Sequence, residues 1–388
     1  MLKSIVKIQY KDLYMEALRF TGAGSEYFKI WIVNVLLTII TLGIYYPWAK
    51  VRNRRYFYAN STLNDRNFEY HATGKQLLLG FLIGLVLFVI YNIVTQVAPQ
   101  FALFFIGFFM LVLPWLIWRS LIFNMKVSSF SNVHFSFRGA LKTSYLIFLG
   151  YPLLIIFFIV MLGIIASVVI PSLQNGLPTD PTLLIIGGII IGIFSMILYT
   201  FAIALIQKKS KEYMINNSFY GQGQFSTELE TKKFLSIYAK GIMLALLPLV
   251  VMGLGFVGMG VGPGAEILFI VAYFGFIIVS LLAGAYIMSR IRAYVYENTL
   301  LDDRVAFEST LGARALAWVI FTNLLMILFT LGLAMPWAKV RMANLMLENT
   351  LVDTSVGFDE YITQEQARGG AIGEQIGEAF DVDMDVGF

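Results

Sequence analysis

Residues that could bind a ligand are concentrated in a motif that occurs near both ends of the chain. The motif reads TLGIYYPWAKVR from Thr41 and TLGLAMPWAKVR from Thr330. The matching positions are Asn34 and Asn323, Thr41 and Thr330, Gly43 and Gly332, Pro47 and Pro336, Trp48 and Trp337, Lys50 and Lys339, and Arg52 and Arg341. Amides and hydroxyls carried by two apolar segments could line a polar path through a membrane. They could equally join helices by interhelical hydrogen bonds, and the sequence leaves both interpretations open.

Basic residues that follow each apolar segment form the second candidate site. Arg54 and Arg55 extend the first copy of the motif, so that Lys50, Arg52, Arg54 and Arg55, with Lys339 and Arg341 of the second copy, make one cluster flanked by aromatic residues. Such a cluster could bind anionic lipid headgroups, with Arg52, Arg54 and Arg55 as the candidates, or an anionic solute. Alternatively, these residues set the topology and anchor the segment at the membrane surface.

The residue types needed for catalysis are sparse. The chain has no cysteine and only two histidines, His71 and His134. A serine–histidine–acid set, an HExxH sequence and paired carboxylates within apolar runs are all missing from the sequence. We therefore expect a protein that is not an enzyme and that has no metal site, no catalytic residue and no cofactor.

Composition places the chain in a membrane. Hydrophobic residues make up 58% of it and charged residues only 13%, whereas about 25% is usual for soluble domains. Six apolar runs, at about 76–97, 100–118, 143–170, 182–206, 234–258 and 264–288, are each long enough to span a bilayer. They form three pairs. The links within pairs hold no lysine or arginine, whereas the links between pairs are basic, so the positive-inside rule places the latter in the cytoplasm. The basic residues thus serve lipid and topology, and we expect no nucleic acid partner.

The two repeated segments, residues 30–46 and 315–335, are at the short limit for a span. If each crossed once, the basic residues at both ends of the chain would lie on the outer face. If each is a re-entrant hairpin that turns at Thr41-Leu42-Gly43 and Thr330-Leu331-Gly332, all of the basic residues lie inside. Both arrangements remain open, and the second predicts cytoplasmic termini.

The links between apolar runs predict β-hairpins. Five of them carry Ser or Thr with Leu or Phe, then turn-forming residues, then a phenylalanine, as in Thr62-Leu63…Phe68 and Thr350-Leu351…Phe358. The predicted fold class is therefore an all-α multi-pass membrane protein. It has six long transmembrane helices, two short repeated segments that span or re-enter, and cytoplasmic β-hairpins between helix pairs. Residues 1–364 would be one membrane domain of five strand–helix–helix–strand repeats. Residues 365–388 would be an acidic tail, whose end, Phe380–Phe388, is either a docking strand or disordered.

The motifs resemble a known family. An R-x-F strand, TGAGSEYFKI, the TLGIYYPWAKVRNRRY segment, an F-x-Y-x-x-TGKQL segment and a GEAFDVD tail are similar to the bacterial inner-membrane family typified by YjgN. Leu63-Asn64-Asp65 lacks the glycine that such turns often have, which leaves the turn type open. The resemblance implies a multi-pass protein of the bacterial inner membrane and implies no activity.

Two functions fit the sequence. One is a transporter or channel for a small solute or a lipid, motivated by the paired segments that carry Asn and Thr. The alternative is a non-transporting membrane scaffold or an anionic-lipid-responsive protein, motivated by clean spans and the basic rim. The expected partners are the lipid bilayer, anionic headgroups and further copies of the chain in a homo-oligomer.

Overall fold

The structure is a computed structural model that describes residues 15–174, 181–258, 265–355 and 358–368. Its helices are α1 (Gly24–Ile40), α2 (Tyr46–Ala59), α3 (Gly74–Val97), α4 (Ala102–Lys126), α5 (Leu141–Tyr145), α6 (Tyr151–Gln174), α7 (Pro181–Asn216), α8 (Thr231–Gly258), α9 (Ala265–Glu297), α10 (Ala313–Phe329), α11 (Met335–Glu348) and α12 (358–368). A π-helical turn, Leu146–Gly150, joins α5 to α6, and a 3-10 turn, Pro99–Phe101, precedes α4.

Short strands flank each pair of helices. They are β1 (Met15–Ala17), β2 (Arg19–Phe20), β3 (Ser61–Leu63), β4 (Arg66–Tyr70), β5 (Ser128–Phe130), β6 (Val133–Phe137), β7 (Ser218–Tyr220), β8 (Gly223–Thr227), β9 (Thr299–Leu301), β10 (Val305–Ser309) and β11 (Thr350–Asp353). The chain thus runs as strand, helix, helix, strand five times in succession, with the π-helical turn inside the third unit, before α12 follows.

All eleven strands belong to one antiparallel sheet, in the order β1-β11-β10-β9-β8-β7-β6-β5-β4-β3-β2. β1 and β2 lie at the two ends of that order, yet only Leu18 separates them in the chain. The Leu18 N–H also donates to the Thr350 carbonyl at 2.9 Å. Residues 15–20 therefore pair with β11 on one side and with β3 on the other, and the sheet closes into a ring.

Tight turns set the register of the ring. In the two-residue turns Asn64-Asp65 and Ser131-Asn132, all four φ angles are positive, between 48° and 63°, which is the pattern of a type I′ hairpin turn. The turn after β7 begins at Gly221 with a φ of 59°. Asn and Asp reach this left-handed region more readily than most residues. The turn at Leu63-Asn64-Asp65 is therefore of type I′ without a glycine.

The interior of the ring is lined by aromatic residues at equivalent positions of the long strands. They are Phe68, Phe135, Phe225 and Phe307. Ring centroids lie 4.6 Å apart for Phe68 and Phe130 and 5.9 Å apart for Phe225 and Phe307, within the 4.5–7 Å range that aromatic pairs prefer. These side chains form the inner wall of the ring.

The helices form a second ring beside the strands. Each helix contacts its neighbour in the chain from α1 to α11, with the π-helical turn between α5 and α6, and α11 contacts α1. The contact between α3 and α4 is slight. Three hairpins are long, α3/α4, α5 to α7 and α8/α9, and two are short, α1/α2 and α10/α11. The two short hairpins are therefore neighbours at the place where the circle closes.

Both repeated segments turn back on themselves. α1 follows β2 and α2 precedes β3, and β2 pairs with β3 through Arg19 and Thr62, so the hairpin returns to the side of the sheet on which it began. The turn has positive φ at Leu42 and Gly43, and its copy has positive φ at Leu331 and Gly332. With 17 residues, α1 rises about 25 Å, which is less than the ~30 Å hydrocarbon core. Each segment is therefore a helical hairpin that begins and ends on the same side of the sheet, and not one continuous helix.

The predicted all-α class with six long transmembrane helices is wrong. The chain has an eleven-stranded ring as well as helices, because the hairpins between the helix pairs pair edge to edge and form one sheet. Among the described residues, five helical segments are long and apolar enough to cross a membrane: Gly74–Val97, Pro99–Lys126, Leu141–Ile165, Gly187–Asn216 and Ile270–Glu297. The fifth hairpin is also wrong, since Phe358 lies in α12 and not in a strand.

The common side of the hairpin turns can be tested by labelling, since the chain has no native cysteine. Single cysteines at Asp65, Asn132 and Asp303 should react with a membrane-impermeant maleimide in inverted vesicles and not in intact cells. Cysteine at Ala98, between α3 and α4, should show the reverse pattern and serves as the control. Labelling of the three turns from opposite sides would contradict the ring.

Candidate functional site

Thr41 and Thr330 each complete the turn of a short hairpin. The Thr41 hydroxyl donates to the Leu37 carbonyl at 2.7 Å and accepts from the Tyr45 N–H at 2.9 Å. Thr330 makes the same two bonds, to Met326 at 2.7 Å and from Ala334 at 3.0 Å. Each hydroxyl thus satisfies backbone groups of the two helix ends that meet at the turn, and neither is left to line a path.

The two repeated asparagines join the helices of their own hairpins. Asn34 is 3% exposed, donates to the Asn53 side chain at 3.0 Å and accepts from Arg52 at 3.3 Å. Asn323 is also buried and donates to the Ala338 carbonyl at 3.1 Å, while its own oxygen finds no partner among the described residues. The amides therefore act in the way that interhelical hydrogen bonds do.

The repeated tryptophans join one hairpin to the next. A Cβ placed on Gly74 would overlap the indole of Trp48, and a Cβ placed on Gly24 would overlap the indole of Trp337. Trp337 also lies 5.1 Å from Phe28, between ring centroids. The preceding prolines, Pro47 and Pro336, are fully buried near the starts of α2 and α11. The motif is thus an inter-repeat joint, and its second copy closes the circle between α11 and α1.

The basic cluster is largely occupied by internal contacts. Arg54 donates to the Tyr70 hydroxyl at 2.9 Å and to the Asn124 side chain, and Arg55 donates to the Ala72 carbonyl at 2.8 Å. These contacts of Arg54 and Arg55 tie the first hairpin to the second repeat, whereas the bond from Arg52 to Asn34 joins the two helices of the first hairpin. In the second copy, Arg341 donates to the Thr322 hydroxyl at 2.7 Å.

The lysines of the motif differ from its arginines. Lys339 is exposed and Lys50 is half-buried. Neither has an ion pair within the part of the chain that the structure describes. Of the repeated basic residues, Lys50 and Lys339 are therefore the ones whose side chains have neither an ion pair nor a hydrogen bond among the described residues, whereas Arg52 and Arg341 each donate a hydrogen bond to a neutral side chain.

A further site lies inside the ring of strands, where α12 inserts. Phe358, Tyr361 and Ile362 pack against Leu18, Phe130, Tyr220 and other residues of the ring interior. One turn later, Glu365 is only 1% exposed. Positions 358, 361, 362 and 365 lie on one face of a helix, and this spacing could have predicted α12 from the sequence. The helix also runs through the domain boundary expected at residue 364.

The buried Glu365 carboxylate holds α12 in place. One oxygen accepts from the Gln222 backbone N–H at 2.6 Å, and the other accepts from Arg368 at 2.6 Å. A Cβ on Gly221 would overlap this carboxylate, and one on Gly223 would overlap the Tyr361 hydroxyl. A buried charge is stable only when it is paired and hydrogen-bonded, and the β7–β8 turn supplies both the space and the donor.

Polar contacts fix the rest of α12 to other turns of the ring. Gln366 donates to the Ser131 carbonyl at 2.6 Å, and Arg66 pairs with Asp359 at 3.0 Å. Burial, with the nearby carboxylates of Asp302 and Glu365, raises the pKa of Tyr361 to about 12. Tyr361 is therefore neutral at physiological pH. One face of α12 fills the strand ring with apolar side chains, and polar side chains of the same helix bond to the turns of the ring.

Metal ligands do not converge within the described residues. The His71 and His134 rings lie 4.9 Å apart, but His71 Nε2 contacts the Ser129 hydroxyl at 2.7 Å and His134 Nδ1 contacts the Lys126 carbonyl at 3.2 Å. The His71 imidazole thus joins the end of β4 to β5, and the His134 imidazole joins β6 to the end of α4.

The indole joints predict a glycine-specific loss of stability. Gly24→Ala and Gly74→Ala should each lower the free energy of unfolding by about 1–3 kcal/mol, the usual cost of overpacking, because the added Cβ meets an indole ring. Gly80→Ala is the control, since nothing lies within 4 Å of a Cβ there. Thermal unfolding in detergent measures the difference. Equal melting temperatures for the three variants would show that the indoles shift without cost.

The Glu365 contacts predict that α12 is held mainly by this side chain. Glu365→Ala should cost about 1.5–3 kcal/mol, because the bonds that the carboxylate accepts are lost, and should speed proteolysis after residue 355. Glu360→Ala is the matched control on the exposed face of the same helix. Equal cleavage rates for the two variants would contradict the role given to Glu365.

Comparison with known proteins agrees with these features. Residues 15–379 match the family model DUF898, described as bacterial protein of unknown function. A relative from Salmonella typhimurium, named inner membrane protein YjgN, is 28% identical over 92% of this chain and 94% of its own. Proteins of the same name from Escherichia coli O157:H7 and strain K12 are each 26% identical, over 88% of this chain and 90% of their own. No solved structure matches the chain. The resemblance seen in the sequence motifs is confirmed: this multi-pass membrane protein belongs to the DUF898 family of bacterial proteins of unknown function.

Proposed function

We propose that the protein takes up a lipid into the space enclosed by its ring of helices and moves it across the membrane. The observation that carries the proposal is the exposure of the long helices on every side. Residues 82–86 of α3 are all exposed, and five consecutive residues at about 100° each cover the whole circumference of a helix. Residues 106–111 of α4 are likewise exposed. Helices whose main contacts are with their ring neighbours, and which are exposed on every side, leave a space between them.

The lining of this space favours a lipid over a polar solute. The exposed residues of the long helices are overwhelmingly apolar, as with Ile83, Val86, Phe108 and Leu111. A path for an ion or a sugar needs polar groups along it, and the repeated Asn and Thr side chains are used inside their own hairpins. An acyl chain needs only the apolar wall.

Unequal hairpins give such a lipid a lateral route. α1 and α11 are in contact, so that the two short hairpins stand side by side. α1 rises about 25 Å, whereas α3, with 24 residues, rises about 36 Å. The tips of the short hairpins, Leu42 and Leu331, are 92% and 94% exposed. The ring is therefore lower at these two repeats, and the enclosed space opens there to the membrane half remote from the sheet.

The position of α12 supports a closure on the opposite side. The strand ring continues the ring of helices, because each helix pair is flanked by strands of that ring. α12 fills the strand ring with Phe358, Tyr361 and Ile362. Water and ions are thereby kept out of the space, whereas a lipid can still exchange sideways.

The proposal includes a location and an orientation. The relatives are named inner membrane proteins, and we place this chain in the inner membrane with its strand ring, and so both termini, in the cytoplasm. The lipid bilayer is the partner, no nucleic acid is bound, and the role is not enzymatic and needs no cofactor. Of the basic residues proposed for headgroups, Lys50 and Lys339 fit better than Arg52, Arg54 and Arg55, which have internal partners.

A second candidate is a scaffold that assembles with copies of itself without moving anything. The Gly80-x-x-x-Gly84 and Gly188-x-x-x-Gly192 spacings in the sequence predict close helix contact, but nothing lies within 4 Å of a Cβ at any of these four glycines. That expectation is wrong within the single chain. Small-residue faces of this kind pack against helices in membranes, and a neighbouring copy could supply them. Cross-linking to a defined oligomer without any lipid movement would favour the scaffold.

Lipid movement can be measured in proteoliposomes that contain a fluorescent phospholipid, by adding an impermeant quencher outside. The protein should bring the inner-leaflet lipid within reach of the quencher, whereas empty vesicles should keep it protected. Quenching confined to the outer leaflet, with correctly folded protein present, would reject transport of phospholipid.

The closing role of α12 has its own test. Ser131→Cys with Gln366→Cys allows a short cleavable bis-maleimide to fix α12 to the ring. If α12 must loosen during transport, cross-linking should slow lipid movement and cleavage should restore it. Ser131→Cys alone is the control. An unchanged rate in the cross-linked protein would show that α12 is a static stopper.

A further inference from the structure

An open groove lies on the third hairpin, at the junction of α5, the π-helical turn and α6. It encloses about 430 Å³, within the roughly 300–1,000 Å³ of small-ligand sites. Lys142 and Tyr145 line the end of the groove nearest the sheet, and Leu146, Leu149 and Leu153 line the rest of its length. From Lys142 to Leu153 the helix rises about 16 Å, roughly half of the ~30 Å hydrocarbon core.

The shape of the groove has a local cause in the sequence. Pro152 has no N–H, so the carbonyl of Phe148 loses the donor that an α-helix would provide four residues later. The chain widens into a π-helical turn at Leu146–Gly150, just before this proline, as helices often do at such interruptions. Gly150 keeps the floor open, since a Cβ there would meet only Leu146 and its own helix backbone, at 3.4 Å or more.

The opposite face of the same segment is fully occupied. The buried Ser144 hydroxyl donates to the Pro114 carbonyl of α4 at 2.8 Å. Ile147 is 2% exposed and packs in a cluster with Phe137 of β6 and Tyr213 of α7. The segment is thus held between its two neighbours, and the groove face, where Leu146 and Leu153 are about half exposed, remains uncovered by the described residues.

The positive charge of Lys142, at the end of the groove nearest the sheet, favours an anionic ligand. Lys142 is exposed and has no ion pair among the residues that the structure describes. It lies five residues after the end of β6, hence at the membrane surface on the side of the sheet. A basic residue at that level, above an apolar groove one leaflet deep, complements an anionic headgroup and the acyl chain below it.

We infer that this groove binds an anionic phospholipid from the leaflet on the side of the sheet. The Lys142 ammonium pairs with the phosphate, and one acyl chain lies along Leu146, Leu149 and Leu153. The Tyr145 ring stands at the headgroup level, where aromatic side chains favour the interface. The site lies on one hairpin and does not depend on lipid moving through the protein.

The test uses the full chain, reconstituted in bilayers of phosphatidylcholine with a minority of phosphatidylglycerol, and then released and examined by native mass spectrometry. Wild-type protein should retain phosphatidylglycerol in excess over its share of the bilayer. Lys142→Gln should lower that retention about fivefold, since one basic residue near a surface contributes about 1 kcal/mol. Gly150→Leu should remove the retained lipid by filling the floor of the groove.

Two variants serve as matched controls. Lys75→Gln removes an exposed lysine at the start of α3, and Gly163→Leu adds the same bulk to α6 at a position with nothing within 4 Å. Neither should change the retained phosphatidylglycerol, and all four variants should melt at the wild-type temperature.

Three results would overturn the inference. They are equal retention of the two lipids by the wild type, unchanged retention in Lys142→Gln, or an equal loss in Lys75→Gln. The lipid-movement assay separates this inference from the proposed function. Loss of the bound lipid with unchanged movement leaves the proposed transport intact, and bound lipid without any movement leaves the groove intact.

Discussion

Closure of the strand ring is the constraint on which the rest of the molecule depends. No strand in the described part of the chain is longer than five residues, and an isolated hairpin of that size is marginal in water. At a membrane surface an open edge is a further cost, because unpaired backbone groups find neither water nor a partner in lipid. Pairing of residues 15–20 with both β11 and β3 removes every edge. The ring then fixes the spacing of ten helix ends, and so the width of the helix ring.

Closure also explains why the motif is repeated at the ends of the chain. In a closed circle of repeats, the last repeat must pack against the first in the same way as each repeat packs against the next. Trp48 packs against Gly74 of the next repeat, and Trp337 of the last repeat packs against Gly24 of the first. Indole against glycine allows the backbones to approach closely, and the same residue types recur because the same joint is built twice. Of the basic residues that follow the indole, Arg54 and Arg55 bond across this joint, whereas Arg52 and Arg341 bond within their own hairpins.

Particular residues show how far the sequence could predict the fold. The turn at Thr41-Leu42-Gly43 was readable, because glycine before proline at the end of an apolar run is a local signal. The hairpin strands were readable from alternation near Phe68 and Phe135. Their closure was not, since Leu18 and Thr350 lie at opposite ends of the chain and nothing local marks them as partners. The sequence does not single out α12, because Phe358 matches the hairpin spacing as well as the helical period that runs to Glu365. Gly80 and Gly84 gave a wrong prediction of contact within the chain, because a pair of small residues predicts close helix packing but does not indicate which helix packs there.

The candidate site shows the same limit in the chemistry of single residues. From the sequence, Arg54 and Lys142 are both basic residues at a membrane surface, and the positive-inside rule treats them alike. In the structure the Arg54 guanidinium donates hydrogen bonds to the Tyr70 hydroxyl and to the Asn124 side chain, so it joins two repeats. A guanidinium is suited to this, since its five donors can bond several acceptors at once. The ammonium of Lys142 has no such partner and stands over an apolar groove. A basic residue therefore has a structural role or faces lipid according to the hydrogen-bond acceptors near its side chain. Those acceptors are placed by the closure of the ring, which joins distant parts of the chain, and not by the local sequence.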